Sequence, residues 1–269
     1  MGTKRSIVWF KSDLRISDNE TLVKAIKEND EIIPVYCLDD AHFTTTTFTF
    51  QKTGSFRAKF LLESLADLDK NLRALGSGLV IAKGNPATEI SALARKFGAQ
   101  KVFAQQEIAD EEIKTQQRVE RELQQINCSL HTFSTGSLYH LEDLPFAVKE
   151  IPDVFTSFRK KVEKEAHVHS LFPTPQSISS PIIEAVRLPS LKELGIEEFA
   201  TDKRAAIIFK GGETEAWKRL QHYFFETKSL SIYKETRNAL LGADYSSKFS
   251  AWLALGCISA RIIYQEVKK

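Results

Sequence analysis

The feature that most constrains this chain is a rhythm in its first half. Five short apolar runs, at residues 5–10 (RSIVWF), 32–38 (IIPVYCL), 79–82 (LVIA), 101–104 (KVFA) and 129–133 (SLHTF), alternate with helix-length segments. A helix predicted over 19–27 puts Leu22, Val23 and Ile26 on one face, with Asp18 as its N-cap. A longer one over 55–75 ends at Gly76, a natural left-handed stop. Asn85-Pro86 supplies a cap and a first-turn proline for a third helix that Gly98 closes, and a charged helix covers 110–125. Apolar strands joined through helices cannot pair as hairpins. They make a parallel sheet with helices on both faces, so the expected fold is a doubly wound α/β domain over residues 1–135. Pro34 is awkward for a central strand and predicts an irregularity or a strand start.

From residue 136 to 210 the texture changes. Six of the eight prolines, at 145, 152, 173, 175, 181 and 189, break regular structure there, leaving one short helix near 154–165. This reads as a connector wrapping between two bodies. Residues 211–269 are helical in pattern: 213–226 carries Trp217, Leu220, Phe224 and Phe225 at helical spacing. Ser246 or Ser247 can cap a further helix at 248–257 that is apolar nearly all round. Too few residues follow to surround that helix, so the chain is expected to stop within a helical domain.

Composition excludes some classes. With 42% apolar and 27% charged residues and a net charge of +2, the chain is an ordinary globular one with no overall signature of nucleic-acid binding. Cys37, Cys128 and Cys257 lie far apart and read as reduced thiols of an intracellular protein, cytoplasmic or organellar. No apolar run is long enough to span a membrane, and no targeting segment is recognisable. Met1-Gly2-Thr3-Lys4-Arg5-Ser6 fits a loose myristoylation pattern, but strand residues follow at once. A monomer is expected.

Familiar nucleotide and hydrolase motifs are absent: GxxxxGK[ST], GxGxxG after the first strand, HExxH, GxSxG and C-x-x-C do not occur. His167 and His169 read as a solvent-exposed pair, and no metal site is expected. One segment stands out chemically. Tyr245-Ser246-Ser247-Lys248-Phe249-Ser250 gathers hydroxyls, backbone N–H groups and one cation at a helix start, which suits a diphosphate. On spacing alone a plain serine cap with a surface lysine is the commoner use of such a pattern. Lys234 and Arg237 can hold phosphates or be solvated loop charges.

Trp9-Phe10-Lys11-Ser12-Asp13-Leu14-Arg15, followed by Asp18-Asn19, resembles the WFRxDLR opening of the photolyase and cryptochrome family. The segments 52–57 (KTGSFR) and 60–65 (FLLESL) are similar to its DASH branch. So are SLYH at 137–140, DLPF at 143–146, PDVFT at 152–156, Phe158-Arg159, GGET at 211–214 and YKETRN at 233–238. The resemblance covers essentially the whole chain. It implies an antenna-type α/β domain, then the start of an all-α FAD-binding domain. It further implies light-driven repair of cyclobutane pyrimidine dimers, with single-stranded DNA favoured, or photoreception.

By the same resemblance, Tyr233, Ser246, Ser247, Lys248, Phe249 and Ser250 are flavin-binding and Arg237 contacts DNA phosphate. Glu107 would bind the pterin of a methenyltetrahydrofolate antenna; its plain alternative is a surface charge at a strand end. Lys11 stands where the family has arginine, Ala239 replaces a loop glycine, and Ala251 and Ala260 replace helix-start prolines. No catalytic residue is assigned, and Trp9, Trp217 and Trp252 read as core aromatics rather than electron-transfer groups. The alternative is an inactive fragment or splice form that keeps a folded α/β domain able to bind a folate or a protein partner.

Overall fold

A computed structural model describes residues 2–200 and 202–269. The five expected strands form: β1 (Arg5–Phe10), β2 (Glu31–Asp39), β3 (Val80–Gly84), β4 (Lys101–Gln105) and β5 (Ser129–Phe133). They pair as one parallel sheet in the order β3-β2-β1-β4-β5. The helices between them are α1 (Glu20–Glu28), α2 (Ser55–Ala74), α3 (Pro86–Phe97) and α4 (Asp110–Gln124).

Strand pleat divides the core in two. Val8 and Phe10 of β1 join Leu22, Ala25, Leu65 and Leu68 of α1 and α2 in one cluster. Ile7 and Trp9 join Ile90, Ala94, Val119 and Leu123 of α3 and α4 in the other. The chain therefore winds one way from β1 and the other way through β4, and the sheet's switch point lies between their C-terminal ends.

Two local expectations are corrected. The cap of α1 is Asn19, whose Oδ1 accepts from Leu22 N at 3.0 Å. Asp18 instead takes a left-handed φ of 49° and serves a different purpose, described below. Pro34 sits inside β2 opposite Val8, not at its start. Ile32, two residues earlier, sends its N–H to Ser179 of the connector, on the β3 side. By the two-residue alternation Pro34 turns its nitrogen the same way, and β3 pairs with β2 only from Val35 onward. The missing donor is thus absent where no strand would have used it.

The connector carries α5 (Phe155–Glu165), and the helical segment carries α6 (Glu213–Gln221), α7 (Tyr233–Thr236), α8 (Ser250–Ala254) and α9 (Ala260–Val267). The predicted helix at 248–257 is only the five residues of α8. Its flanking cap is Phe249, with no side-chain cap bond from either serine. Nor is the apolar segment left uncovered as expected. Phe249, Trp252 and Leu255 are buried, and of the segment's large apolar side chains Leu253 alone is exposed. The partners come from the α/β domain: the first core cluster continues from α2 through Leu220, Tyr223, Phe249 and Trp252 to Ile262. Trp252 meets Phe60 at 6.0 Å, and its Nε1 donates to Lys210 O at 2.9 Å. Trp9 is buried and Trp217 is half-buried, as core aromatics should be. No described helix is long and apolar enough to cross a membrane.

The opening motif clasps the two halves. Asp18, fully buried, accepts from Arg261 Nε (3.0 Å) and Nη2 (3.1 Å), from Ser259 Oγ (2.6 Å) and from Phe172 N (3.0 Å). Arg15 donates to Gly256 O at 2.9 Å, and Glu213 accepts from Ile16 N (2.8 Å) and Ser17 N (3.1 Å). Gly256 is required twice over: its φ is 63°, and a Cβ there would lie 2.0 Å from the Ser12 carbonyl oxygen.

Candidate flavin and antenna sites

Sequence reasoning placed a diphosphate site at 245–250, and the structure shows what shapes that loop. Arg219, on the inner face of α6 and buried, sends its guanidinium into the loop from below. Its Nε donates to Ser247 O (3.0 Å), and Nη2 donates to Ala243 O (3.1 Å) and Ser246 O (3.0 Å). Nη1 donates to Asp244 Oδ1 at 2.7 Å, and the guanidinium carbon lies 5.0 Å from the Tyr223 ring centre. Lys248 adopts a left-handed φ of 57° and Phe249 follows in the right-handed region at φ −72°, ψ −12°. Such a change of hand turns successive N–H groups toward one point, the geometry of an anion nest. Among the described residues, no backbone N–H between 240 and 249 donates to a protein acceptor. At five residues α8 is too short for its dipole to matter, so the loop amides and hydroxyls must carry any anion binding.

Phe249 packs beneath the loop, edge-on to Tyr223 at 6.5 Å and to Phe224 at 5.8 Å. Burial pushes the Tyr223 phenol up; Arg219 opposes this, and the neighbouring Tyr233 adds to it. Tyr233 lies at the start of α7 and is 38% exposed. Lys248 lays its ammonium 3.6 Å from the centre of the Tyr245 ring. Ser246 and Ser247 are half-buried, and Ser250 and Arg237 are exposed.

Arg219, Asp244 and His222 were missed by sequence reasoning. His222 opens a π-helical turn (His222–Glu226), and its ring nitrogens meet Glu226 Oε2 at 3.0 Å and Asp244 Oδ2 at 3.3 Å. The bond to Glu226 raises the His222 pKa, slight burial opposes it, and Asp244 adds to the rise. Burial pushes the Asp244 carboxyl up, but its bonds to Arg219 and His222 outweigh this and hold it below the usual range. The available signal was an arginine three residues after Ala216 and four before Tyr223, on the apolar face of a helix, a misplaced charge that called for a buried partner.

The second candidate, Glu107, lies just past β4 at the sheet's switch point. Its Oε1 is 3.1 Å from Lys11 Nζ, and only 13% and 11% of the two side chains are exposed. Lys11 also donates to Gln116 Oε1 at 3.3 Å and lies 4.8 Å from the centre of the Trp9 ring. Burial lowers the Lys11 pKa, and Glu107 pulls it back up. Glu107 is therefore not a free surface charge but half of a sheltered pair. His167 and His169 are exposed, and His169 Nε2 sits 3.0 Å from Asp143.

Comparison with known proteins agrees with this architecture. Residues 6–177 match the family model described as DNA photolyase. The chain is 44% identical over 269 residues to cryptochrome DASH of Gloeobacter violaceus, covering all of this chain and 54% of that protein. It is 41% identical over 279 residues to cryptochrome DASH of Danio rerio, covering 53% of it. Among solved structures it is similar to a Synechocystis cryptochrome, with a TM-score of 0.93, 38% identity, and coverage of the whole chain and 56% of that one. A class III photolyase from Agrobacterium tumefaciens superimposes with a TM-score of 0.82 at 25% identity, over 54% of that chain. The chain spans about half the length of the relatives it matches. With the family model spanning residues 6–177 and the fold matching over the whole chain, the chain belongs to the DNA photolyase family.

Proposed function

We propose that this chain supplies the antenna-type domain and the first flavin-holding elements of a blue-light flavoprotein. In a protein of the relatives' length it would serve dimer repair, chiefly on single-stranded DNA, or photoreception. The observation that carries the reading is the loop at 243–249, three of whose carbonyls are taken up by Arg219 while, among the described residues, its N–H groups find no protein acceptor. That donor set fits the diphosphate of FAD. Ser246, Ser247 and Ser250 add hydroxyls, Lys248 adds a cation, and Tyr233 offers an exposed ring. When bound and reduced, the flavin would supply a light-excited electron to the dimer. The protein's own part is to bind, orient and screen it. Arg237, exposed at the end of α7, would hold a DNA phosphate.

Glu107 suits a pterin edge, because a carboxylate accepts from adjacent ring and amino N–H groups and Lys11 keeps it in place. Methenyltetrahydrofolate is accordingly the proposed antenna.

The test compares FAD with riboflavin, which has the same ring system but no diphosphate, by absorption and equilibrium dialysis on the purified chain. Weak binding of FAD without comparable binding of riboflavin is expected, because this half-site grips the diphosphate and leaves the ring largely unenclosed. Equal binding of both, or none of FAD, would remove the assignment. Repair of a thymine-dimer oligonucleotide, single- against double-stranded, is then measured in a chain extended to the relatives' length.

A further inference from the structure

We propose that Arg219 is the positioning residue of the diphosphate loop: its buried guanidinium sets the peptide planes that aim the loop amides outward. The proposal rests on reading that loop as the flavin diphosphate site.

A trans peptide holds its C=O and N–H on opposite sides. Arg219 accepts no proton and offers five N–H donors in a fixed planar fork. Three of its four bonds fall on carbonyls, those of Ala243, Ser246 and Ser247. Holding these three oxygens inward turns the N–H groups of Asp244, Ser247 and Lys248 outward, away from the guanidinium. The fourth bond, to Asp244 Oδ1 at 2.7 Å, balances the charge so that the loop does not fold around an uncompensated cation. Asp244 is held from its other side by His222 at 3.3 Å, and His222 is held by Glu226 at 3.0 Å.

The left-handed φ of 57° at Lys248 is costly for a residue with a side chain, and the adjoining Ser247 carbonyl is one of those Arg219 fixes. A lysine at 219 has a single ammonium on a flexible stem and cannot hold three carbonyls and a carboxylate in one plane. The loop would then sample other peptide orientations, and the nest would form only part of the time.

The chain labelled with 15N is titrated with inorganic diphosphate, following loop amide shifts, with thermal melting as a check on the fold. In the unaltered chain the amides of Ser247, Lys248 and Phe249 should shift together and saturate. Arg219→Gln is expected to weaken that binding at least tenfold while the strand amides keep their positions. Arg219→Lys is expected to fall nearly as far, although the charge is kept. Affinity within twofold of the unaltered chain in either variant overturns the proposal and leaves the diphosphate site standing. Should Arg219→Gln not fold, Arg219→Lys decides by the same threshold. Absence of any shift in the unaltered chain overturns the site reading, and this proposal with it.

Discussion

Asp18→Asn removes the charge of the clasp between the two halves of the chain and sets a donating amide where a carboxylate oxygen accepts. Asparagine has nearly the same shape and tolerates the left-handed φ of 49° at this position at least as well, so backbone strain is not introduced. What changes is the partner of Arg261, whose side chain is wholly buried and whose Nη1 already lacks a hydrogen-bond acceptor among the described residues. Removing one member of a buried ion pair typically costs about 3–5 kcal/mol, because the remaining charge stays desolvated and unpaired. At about 2–4 °C per kcal/mol for a chain of this size, the melting midpoint should fall by roughly 6–20 °C. Differential scanning calorimetry of the two proteins reads this directly. The second arm is Asp18→Asn with Arg261→Met, which removes both charges and should recover a large part of the loss. A drop below about 1 kcal/mol, the range of an exposed pair, would refute the argument that losing Asp18's charge strands a desolvated Arg261.

Further tests reach other parts of the molecule. Gly256→Ala places a methyl 2.0 Å from the Ser12 carbonyl oxygen at a φ of 63°, so the chain should melt at least about 10 °C lower or fail to fold on calorimetry. Proteinase K, which has little sequence preference, should cut first near Lys203 and Arg204, both exposed, rather than near 178–180, where Ile178 is buried and Ser179 bonds to Ile32; mass spectrometry of the first fragments decides. His222 has a raised pKa in the fold, so its contribution is fully present below the unfolded value of about 6.5 and is lost as pH rises through the folded value. Melting midpoints should show a small decline over that window, and His222→Gln should remove it. Arg237→Ala should weaken binding of DNA in a chain of the relatives' length without changing flavin content, the loss shrinking as salt rises.

What the sequence made legible divides along physical lines. The sheet could be read because each strand and helix declares itself within a short window: Asn85 caps α3, Gly98 ends it, and the apolar runs outline the core. The clasp could not. Asp18 precedes a helix and looked like its cap, while its partners Ser259 and Arg261 lie more than 200 residues away, beyond any periodicity argument. The same limit hid the cover for Phe249 and Trp252. Counting only helical neighbours left them bare, whereas α2 of the sheet domain packs on Trp252.

At the candidate site, local reading drew on hydroxyls and a lysine in a row, because these are visible in the sequence. It missed Arg219, which faces inward and acts through carbonyls that every residue has. Side-chain chemistry marks where a ligand can bind, but the orientation of the peptides that meet it is set from the protein side. In this chain that setting comes from one arginine on a neighbouring helix, which is why the loop motif alone could not separate an anion nest from a serine cap.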